Sequence, residues 1–495
     1  MSTPSATPDA EAYRLMRAGR LAEALKFAEE AVAAKTACSP SHGVLAMILL
    51  RLGRPAEAEA VIESAIRGNP GTGDAYNSLA HVALALGRHE RANILYRRAV
   101  ELGPKVSRHW YNFASSERSF GRLGEAEAAC DRAIAFDSRE YRGYLLRSEL
   151  RTQTAAANHV AQLRREITRS GLETQARVLL GYALGKELDD LGQYEEAFKW
   201  FALAASVRRR QLAYDVAAEE HKLQRIIEAF PLGATGVASG RVDSSRFVFI
   251  VGLPRSGTTL LERILTGLPG VRSNGETDNF ERALMAASPA KHATAGQGIL
   301  DVCAQADVLD WQAVAAGYAR LAAAGDIREV IIEKLPLNYL HLGAIHRALP
   351  RARLVLVNRS PLDVCFAMYR TLFGDAYQFS YDFEDLARYH AAYSRLLAHW
   401  RDALGESLHE IGYEDLVSDP IRAAAPLAAA CGLEWRDAAV ELERNTTVCL
   451  TQSAAQIRGP IHRSSVAHWR DYRAHLEPLI EALRHHGVSL TDLDS

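Results

Sequence analysis

The chain has 495 residues, of which 48% are hydrophobic and 24% charged, an ordinary globular balance. That length exceeds one ordinary hydrophobic core, so at least two domains are expected. A formal net charge of −2 gives no global electrostatic reason to expect nucleic acid or an acidic membrane as partner. The opening MSTPSATPDAEAY has neither a basic n-region nor an apolar core, and no stretch approaches the roughly 18 uninterrupted apolar residues of a membrane span. A cytoplasmic protein is therefore expected. Cys38, Cys130, Cys303, Cys365, Cys431 and Cys449 lack CxxC or CxxH spacing, which argues against a zinc site and a disulfide framework and fits a reducing compartment.

In chain order, the first signal is a repeat. Gly19, Gly53, Gly87 and Gly121 recur every 34 residues, each followed by arginine. Alanine stands five residues after each glycine (Ala24, Ala58, Ala92, Ala126) and again twelve after (Ala31, Ala65, Ala99, Ala133). Pro70 and Pro104 close two of the units. A helix-turn-helix unit explains the pattern: glycine at the turn, and small side chains where paired helices approach. The register slips after Arg151, at TQTAAANHV, and returns at Leu191-Gly192-Gln193-Tyr194 with Ala197 and Ala204. The period and pattern resemble the tetratricopeptide repeat, which implies a concave surface for a peptide or protein.

Helical pattern continues from Asp215 to Phe230, and PLGATGVASGRVDSS then loses it. The expected domains are a repeat solenoid over 1–215, a helical linker and loop over 216–244, and a second domain over 245–495. Arg208-Arg209-Arg210 reads as a solvated helix end in preference to a nucleic-acid contact. Beyond Arg246 the runs FVFIVGL, EVIIEKL, ARLVLVN and SLHEIGY alternate with helical stretches, which predicts βαβ units and a mostly parallel sheet with its ligand at the strands' carboxyl ends. The fold class is thus an α-helical solenoid followed by a P-loop-like α/β domain.

The first of these runs leads into Gly252-Leu253-Pro254-Arg255-Ser256-Gly257-Thr258-Thr259, the phosphate-loop frame with Thr258 in the lysine position. Backbone amides at the start of the helix TTLLERIL still hold an anion. The lysine that reaches β- and γ-phosphates is gone, which weakens the case for nucleotide triphosphate hydrolysis. The cation has moved to Arg255.

PRSGTTL (Pro254 to Leu260) resembles the 5′-phosphosulfate loop of the sulfotransferases, particularly the tyrosylprotein type and the bacterial proteins that join such a domain to tetratricopeptide repeats. Further segments follow in the same order: Val357-Asn358-Arg359-Ser360-Pro361-Leu362-Asp363 is similar to the family's 3′-phosphate segment. Ile411 to Val417 resembles its YEDLV strand, and Thr451-Gln452-Ser453 with Gln456, Arg458, Pro460 and Trp469 resembles the bacterial C-terminal segment. The resemblance implies a 3′-phosphoadenosine 5′-phosphosulfate (PAPS) donor, a hydroxyl acceptor and no metal. It assigns Arg255, Ser256, Gly257, Thr258 and Thr259 to the phosphosulfate, Arg359 to the 3′-phosphate, and Tyr413 and Ser453 to positions near the donor. Glu276 matches the catalytic base, in a partly dry cleft that would raise its pKa. Lys334 matches the lysine that steadies the departing charge. Glu262 and Glu281 compete with Glu276, although Glu262 lies inside the first helix without motif support. Where the family carries a serine for the 3′-phosphate this chain has Ala367, with Arg370 the nearby cation.

The leading function is therefore a PAPS-dependent sulfotransferase whose repeats present a peptide or protein acceptor, with no nucleic acid or membrane partner. Protein tyrosine, small alcohol and carbohydrate remain open as acceptors, and the resemblance leans towards tyrosine. The alternatives are a protein-binding scaffold with an inactive sulfotransferase-like domain, and a P-loop nucleotide kinase, against which Thr258 speaks.

Overall fold

The computed structural model describes residues 7–34, 40–232, 242–288, 298–322, 329–445, 447–451, 454–490 and 493. Its contacts divide the chain into two compact units, Met1–Thr152 and Gln153–Ser495.

The first unit is helical: α1 (Pro8–Arg17), α2 (Leu21–Ala33), α3 (Pro40–Arg51), α4 (Pro55–Arg67), α5 (Gly73–Ala85), α6 (His89–Leu102), α7 (Ser107–Ser119), α8 (Leu123–Phe136) and α9 (Tyr141–Glu149). The repeat glycines end the first helix of each pair in the left-handed region, with φ of 75° at Gly19, 76° at Gly53, 73° at Gly87 and 77° at Gly121. At Gly87 the next amide, Arg88 N–H, donates back to Ala83 O at 2.8 Å, and Gly87 N–H donates to Leu84 O at 2.9 Å. This pair of bonds satisfies the last carbonyls of α5 and turns the chain into α6. The alanines do the packing expected of them: Ala24, Ala58, Ala92, Ala126, Ala31, Ala65, Ala99 and Ala133 are all buried between helices. A larger side chain there would force the pair apart.

The second unit opens with α10 (Val160–Ile167), α11 (Thr174–Asp190), α12 (Tyr194–Gln211) and α13 (Val216–Ala229). Gly192, with φ of 71°, joins α11 to α12 as in the earlier repeats, and Ala197 and Ala204 are buried between them. This hairpin packs with the chain that follows it. The Phe198 ring lies against Tyr369, Phe383, Tyr472 and His475. The arginine run is not a solvated helix end. Arg208 donates to Gly374 O at 2.6 Å and Asp375, and Arg209 pairs with Asp385. Acceptors brought close only by the fold capture two of the three guanidinium groups.

The α/β body follows as β1 (Phe247–Val251), α14 (Thr258–Leu265), β2 (Val271–Ser273), α15 (Asn279–Ala287), α16 (Gly298–Gln305), α17 (Trp311–Ala322), β3 (Val330–Lys334), α18 (Leu342–Ala348), β4 (Arg353–Asn358), α19 (Pro361–Tyr369), α20 (Phe383–Leu404), β5 (Leu408–Gly412), α21 (Tyr413–Ser418), α22 (Pro420–Ala430) and α23 (Arg473–His485). The strands form one sheet of order β2-β3-β1-β4-β5, and every described pairing is parallel. β1 lies in the centre and is buried along its whole length, which explains its unbroken apolar run. Val248 and Ile250 pack towards α14 and α22, while Phe247 and Phe249 meet Tyr318 and Phe280 on the other face.

The second unit departs from the expected YEDLV strand. YEDLV is helical, because β5 ends at Gly412 and α21 begins at Tyr413, where Glu414 accepts the Ser360 amide at 3.0 Å. Among the described residues no helix is long and apolar enough to cross a membrane. Cys130, Cys303, Cys365, Cys431 and Cys449 are buried free thiols, and Cys38 lies outside the described residues.

Candidate active site

The strand order reverses its direction of growth at β1, and the loop Gly252–Gly257 leaves the sheet there. Such a switch point opens a crevice at the strands' carboxyl ends. Gly257 caps α14 with φ of 102°, and a Cβ on it would fall 2.4 Å from the Tyr413 ring. Arg255 also adopts a left-handed backbone, with φ of 68°. For a non-glycine residue that costs about 1–2 kcal/mol and is typical of ligand loops. Left-handed residues two apart fold the amides into a concave anion-binding surface, continued by the N-terminal amides of α14, which no side chain caps.

This surface forms one wall of an open cleft. Arg255, Gly257, Thr258, Thr259, Arg359 and Tyr413 line it, and Gln456, Pro460, His462 and Ser465 of the C-terminal segment face them. Arg359 follows β4, half-buried, with its guanidinium 4.4 Å over the Tyr413 ring. It donates to Arg255 O at 2.8 Å and to Ser465 O, joining the loop to the C-terminal segment. Burial lowers its pKa from the usual guanidinium value. Arg255 itself donates to Gln456 Oε1 at 2.9 Å. The structure separates the Ser256 side chain from this group. Its buried Oγ has no hydrogen-bond partner and lines a second pocket with Arg359, His390 and Tyr393. Ser453 lies outside the described residues.

Lys334 ends β3 opposite Ile250 of β1, level with the base of the loop. Its side chain is 0% exposed and lies between two carboxylates: Glu276 Oε1 at 2.5 Å and Glu262 Oε2 at 3.6 Å. Glu276 is 37% exposed, so the dry carboxylate of this trio is Glu262. Burial raises the pKa of Glu262, against the pull of Lys334 and a hydrogen bond from Ser273. Burial would lower the Lys334 pKa, but Glu262 and Glu276 reverse that and raise it. Glu333, the preceding residue, points to the opposite face of the sheet, where burial pushes its pKa up to about 7 despite the nearby Tyr318 hydroxyl and a hydrogen bond from Asn338 at 3.5 Å. Cys449 lies near Lys334 and contacts Thr451 at 3.3 Å, and Thr451 in turn lies 3.5 Å from Thr259. The ion pair and the loop thus belong to one continuous site.

Two residues of the site are not apparent from the sequence. Glu262 carries no motif in the sequence; its signal there is a charged pair, Glu262-Arg263, inside the otherwise uncharged TTLLERIL. Tyr377 sits left-handed at φ of 50°, its ring 4.9 Å from Phe373. Burial and the nearby Glu276 carboxylate push its phenol up. Arg370 does not face the cleft as a spare cation; it is bound to Asp189. Ala367 is buried in α19.

Residues 248–437 match the sulfotransferase family, and residues 44–106, 77–141 and 182–211 match tetratricopeptide repeats. A protein of Aquifex aeolicus (strain VF5) described as uncharacterized is 27% identical over 386 residues, which are 76% of this chain and 50% of its own length. The chain therefore spans about half of that relative. The sulfotransferase domain of the Synechococcus PCC 7002 olefin synthase is 19% identical, covering 49% of this chain and 95% of that one at a TM-score of 0.31. The sulfotransferase STF1 of Mycobacterium tuberculosis H37Rv is 15% identical, covering 61% and 93% at 0.27. The family matches and the parallel sheet agree on one statement: this chain carries tetratricopeptide repeats ahead of a sulfotransferase-family domain.

Proposed function

We propose that the second unit transfers a sulfuryl group from 3′-phosphoadenosine 5′-phosphosulfate to a hydroxyl acceptor, favouring the tyrosine of a peptide or protein presented by the repeats. The observation that carries this reading is the single cleft that unites the Arg255–Thr259 loop with Arg359. An anion cradle without a P-loop lysine and a separate half-buried guanidinium suit a nucleotide with phosphates at both the 5′ and 3′ positions. The glycine that admits no side chain at Gly257 and the buried Arg359 Nε without a partner fit such an occupant.

When bound, the donor supplies the sulfuryl group. Thr258, Thr259 and the loop amides would hold its 5′ end, and Arg359 its 3′-phosphate. Glu276 would take the acceptor's proton, and Lys334 would keep a positive charge where negative charge grows on the donor side. The ion pair adds a condition. Glu276 must release Lys334 to act as a base, and Glu262 leaves the lysine with a buried counter-charge when it does so. The aromatic surface of Phe373 and Tyr377 beside Glu276 favours a flat phenolic acceptor over a sugar. The scaffold reading lacks such an observation, and the missing lysine disfavours the kinase.

Calorimetry on the full chain tests the proposal. Adenosine 3′,5′-bisphosphate is expected to bind more tightly than ATP with magnesium by at least roughly ten-fold, since only the former offers Arg359 a 3′-phosphate. ATP binding as tightly or more tightly would refute it.

A further inference from the structure

The C-terminal segment 459–472 lines the donor cleft with Pro460, Ile461, His462 and Ser465, and Arg359 holds the Ser465 carbonyl. Beyond Ser465 the segment leaves the cleft and is fastened by two carboxylates. Asp363 of α19 accepts the Ala467 amide at 2.6 Å, at a residue whose φ of 56° makes the turn, and the Trp469 amide at 3.4 Å. Asp189, at the end of α11 in the last repeat hairpin, takes the rest. Its Oδ1 accepts from His468 Nε2 at 2.9 Å and from the Tyr472 hydroxyl at 2.5 Å, and its Oδ2 accepts from Arg370 at 2.5 Å. The carboxylate is 9% exposed. Burial works against its charge, yet Arg370, His468 and Tyr472 hold its pKa down at about 2. A buried anion with three donors from two separate stretches of the α/β body defines one geometry for all of them.

We propose that Asp189 is a positioning residue for the donor nucleotide: it anchors the far end of segment 459–472, whose near end walls the cleft, so that a repeat hairpin is a working part of the nucleotide site. This inference rests on the donor-site reading above. The hairpin supplies no contact with the nucleotide; it sets the wall that makes the contact. A separate link between the hairpin and the α/β body, Arg209 to Asp385, runs to α20 and provides an internal control for loss of packing alone.

The test is calorimetry of adenosine 3′,5′-bisphosphate with full-length wild type, Asp189→Asn, Tyr472→Phe and Arg209→Ala, below the melting temperature of all four. Asp189→Asn is expected to weaken binding by roughly ten-fold or more, Tyr472→Phe by less, and Arg209→Ala to leave it within about two-fold even where it lowers the melting temperature. If wild type and Asp189→Asn bind alike, or if Asp189→Asn and Arg209→Ala weaken binding equally, the positioning role is wrong. Should Asp189→Asn fail to fold, Tyr472→Phe decides by the same comparison, since it removes one hydroxyl and keeps the ring. A wild-type protein that binds no bisphosphate nucleotide overturns the reading of the site, and this inference with it.

Discussion

Replacing Arg359 by lysine keeps a charge and removes the fork. The native guanidinium spends two donors on the carbonyls of Arg255 and Ser465 and stacks on Tyr413 at 4.4 Å. Lysine reaches one carbonyl at a time, so one charge-assisted bond of about 1.5–3 kcal/mol is lost. The stacking contributes about 0.5–2 kcal/mol more. Because the side chain is half-buried, an ammonium there also loses part of its solvation. Arg359→Lys is therefore expected to lower unfolding stability by roughly 2–5 kcal/mol in urea denaturation. The diagnostic measurement is a comparison of ligands, because a loosened cleft weakens every nucleotide alike. Calorimetry of adenosine 3′,5′-bisphosphate and adenosine 5′-monophosphate, on wild type and variant, isolates the 3′-phosphate. The wild type should prefer the bisphosphate by roughly ten-fold or more, and the variant should lose most of that preference. Equal preference in both proteins would show that Arg359 staples the backbone and does not read the phosphate.

Further outcomes follow from the carboxylates. Glu276→Gln should lower turnover by roughly 10²–10⁴-fold while nucleotide affinity changes little, because a base acts on the acceptor's proton. Near-wild-type turnover would move the base elsewhere, and His462 in the cleft is then the next group to test. His341 is a poor substitute, since it is buried against Phe280 with its pKa pushed down to about 4. Glu333 gives a stability prediction with a definite sign. Its folded pKa, about 7, lies above the unfolded value near 4.5, so the folded state keeps the proton longer and stability falls as pH rises from about 4.5 to 7. Glu333→Gln removes that fall, worth on the order of 3 kcal/mol. Urea unfolding of both proteins between pH 4.5 and 8 should show the profiles separating, and parallel profiles would contradict the assignment.

What the sequence made legible is what depends on neighbours along the chain. The left-handed glycines of the repeats and the turn from β1 into α14 are local geometries, each specified by a few adjacent residues. The apolar runs reported β1, β3, β4 and β5, whereas β2, at three residues, is too short to carry a period. The reading failed where a charge was settled by a partner far along the chain. Arg370 stands as a free cation in sequence and as a partner of Asp189 in the fold, 181 residues away. Arg208 and Arg209 look solvated until Gly374, Asp375 and Asp385 arrive. Glu262 shows the same rule at the candidate site. Helix periodicity places it on a buried face but cannot say that the opposing strand ends in Lys334, and a buried carboxylate opposite a lysine differs in kind from one opposite a leucine. Repeat periodicity has a similar blindness. It recognises the hairpin Thr174–Gln211 by its turn and its alanines, which face inward, and says nothing about the outward face that packs with the α/β body through Phe198 and Asp189. Inward faces of repeats are constrained to look alike, and outward faces are free to differ. A new role for a repeat therefore arises where self-comparison of the sequence is weakest.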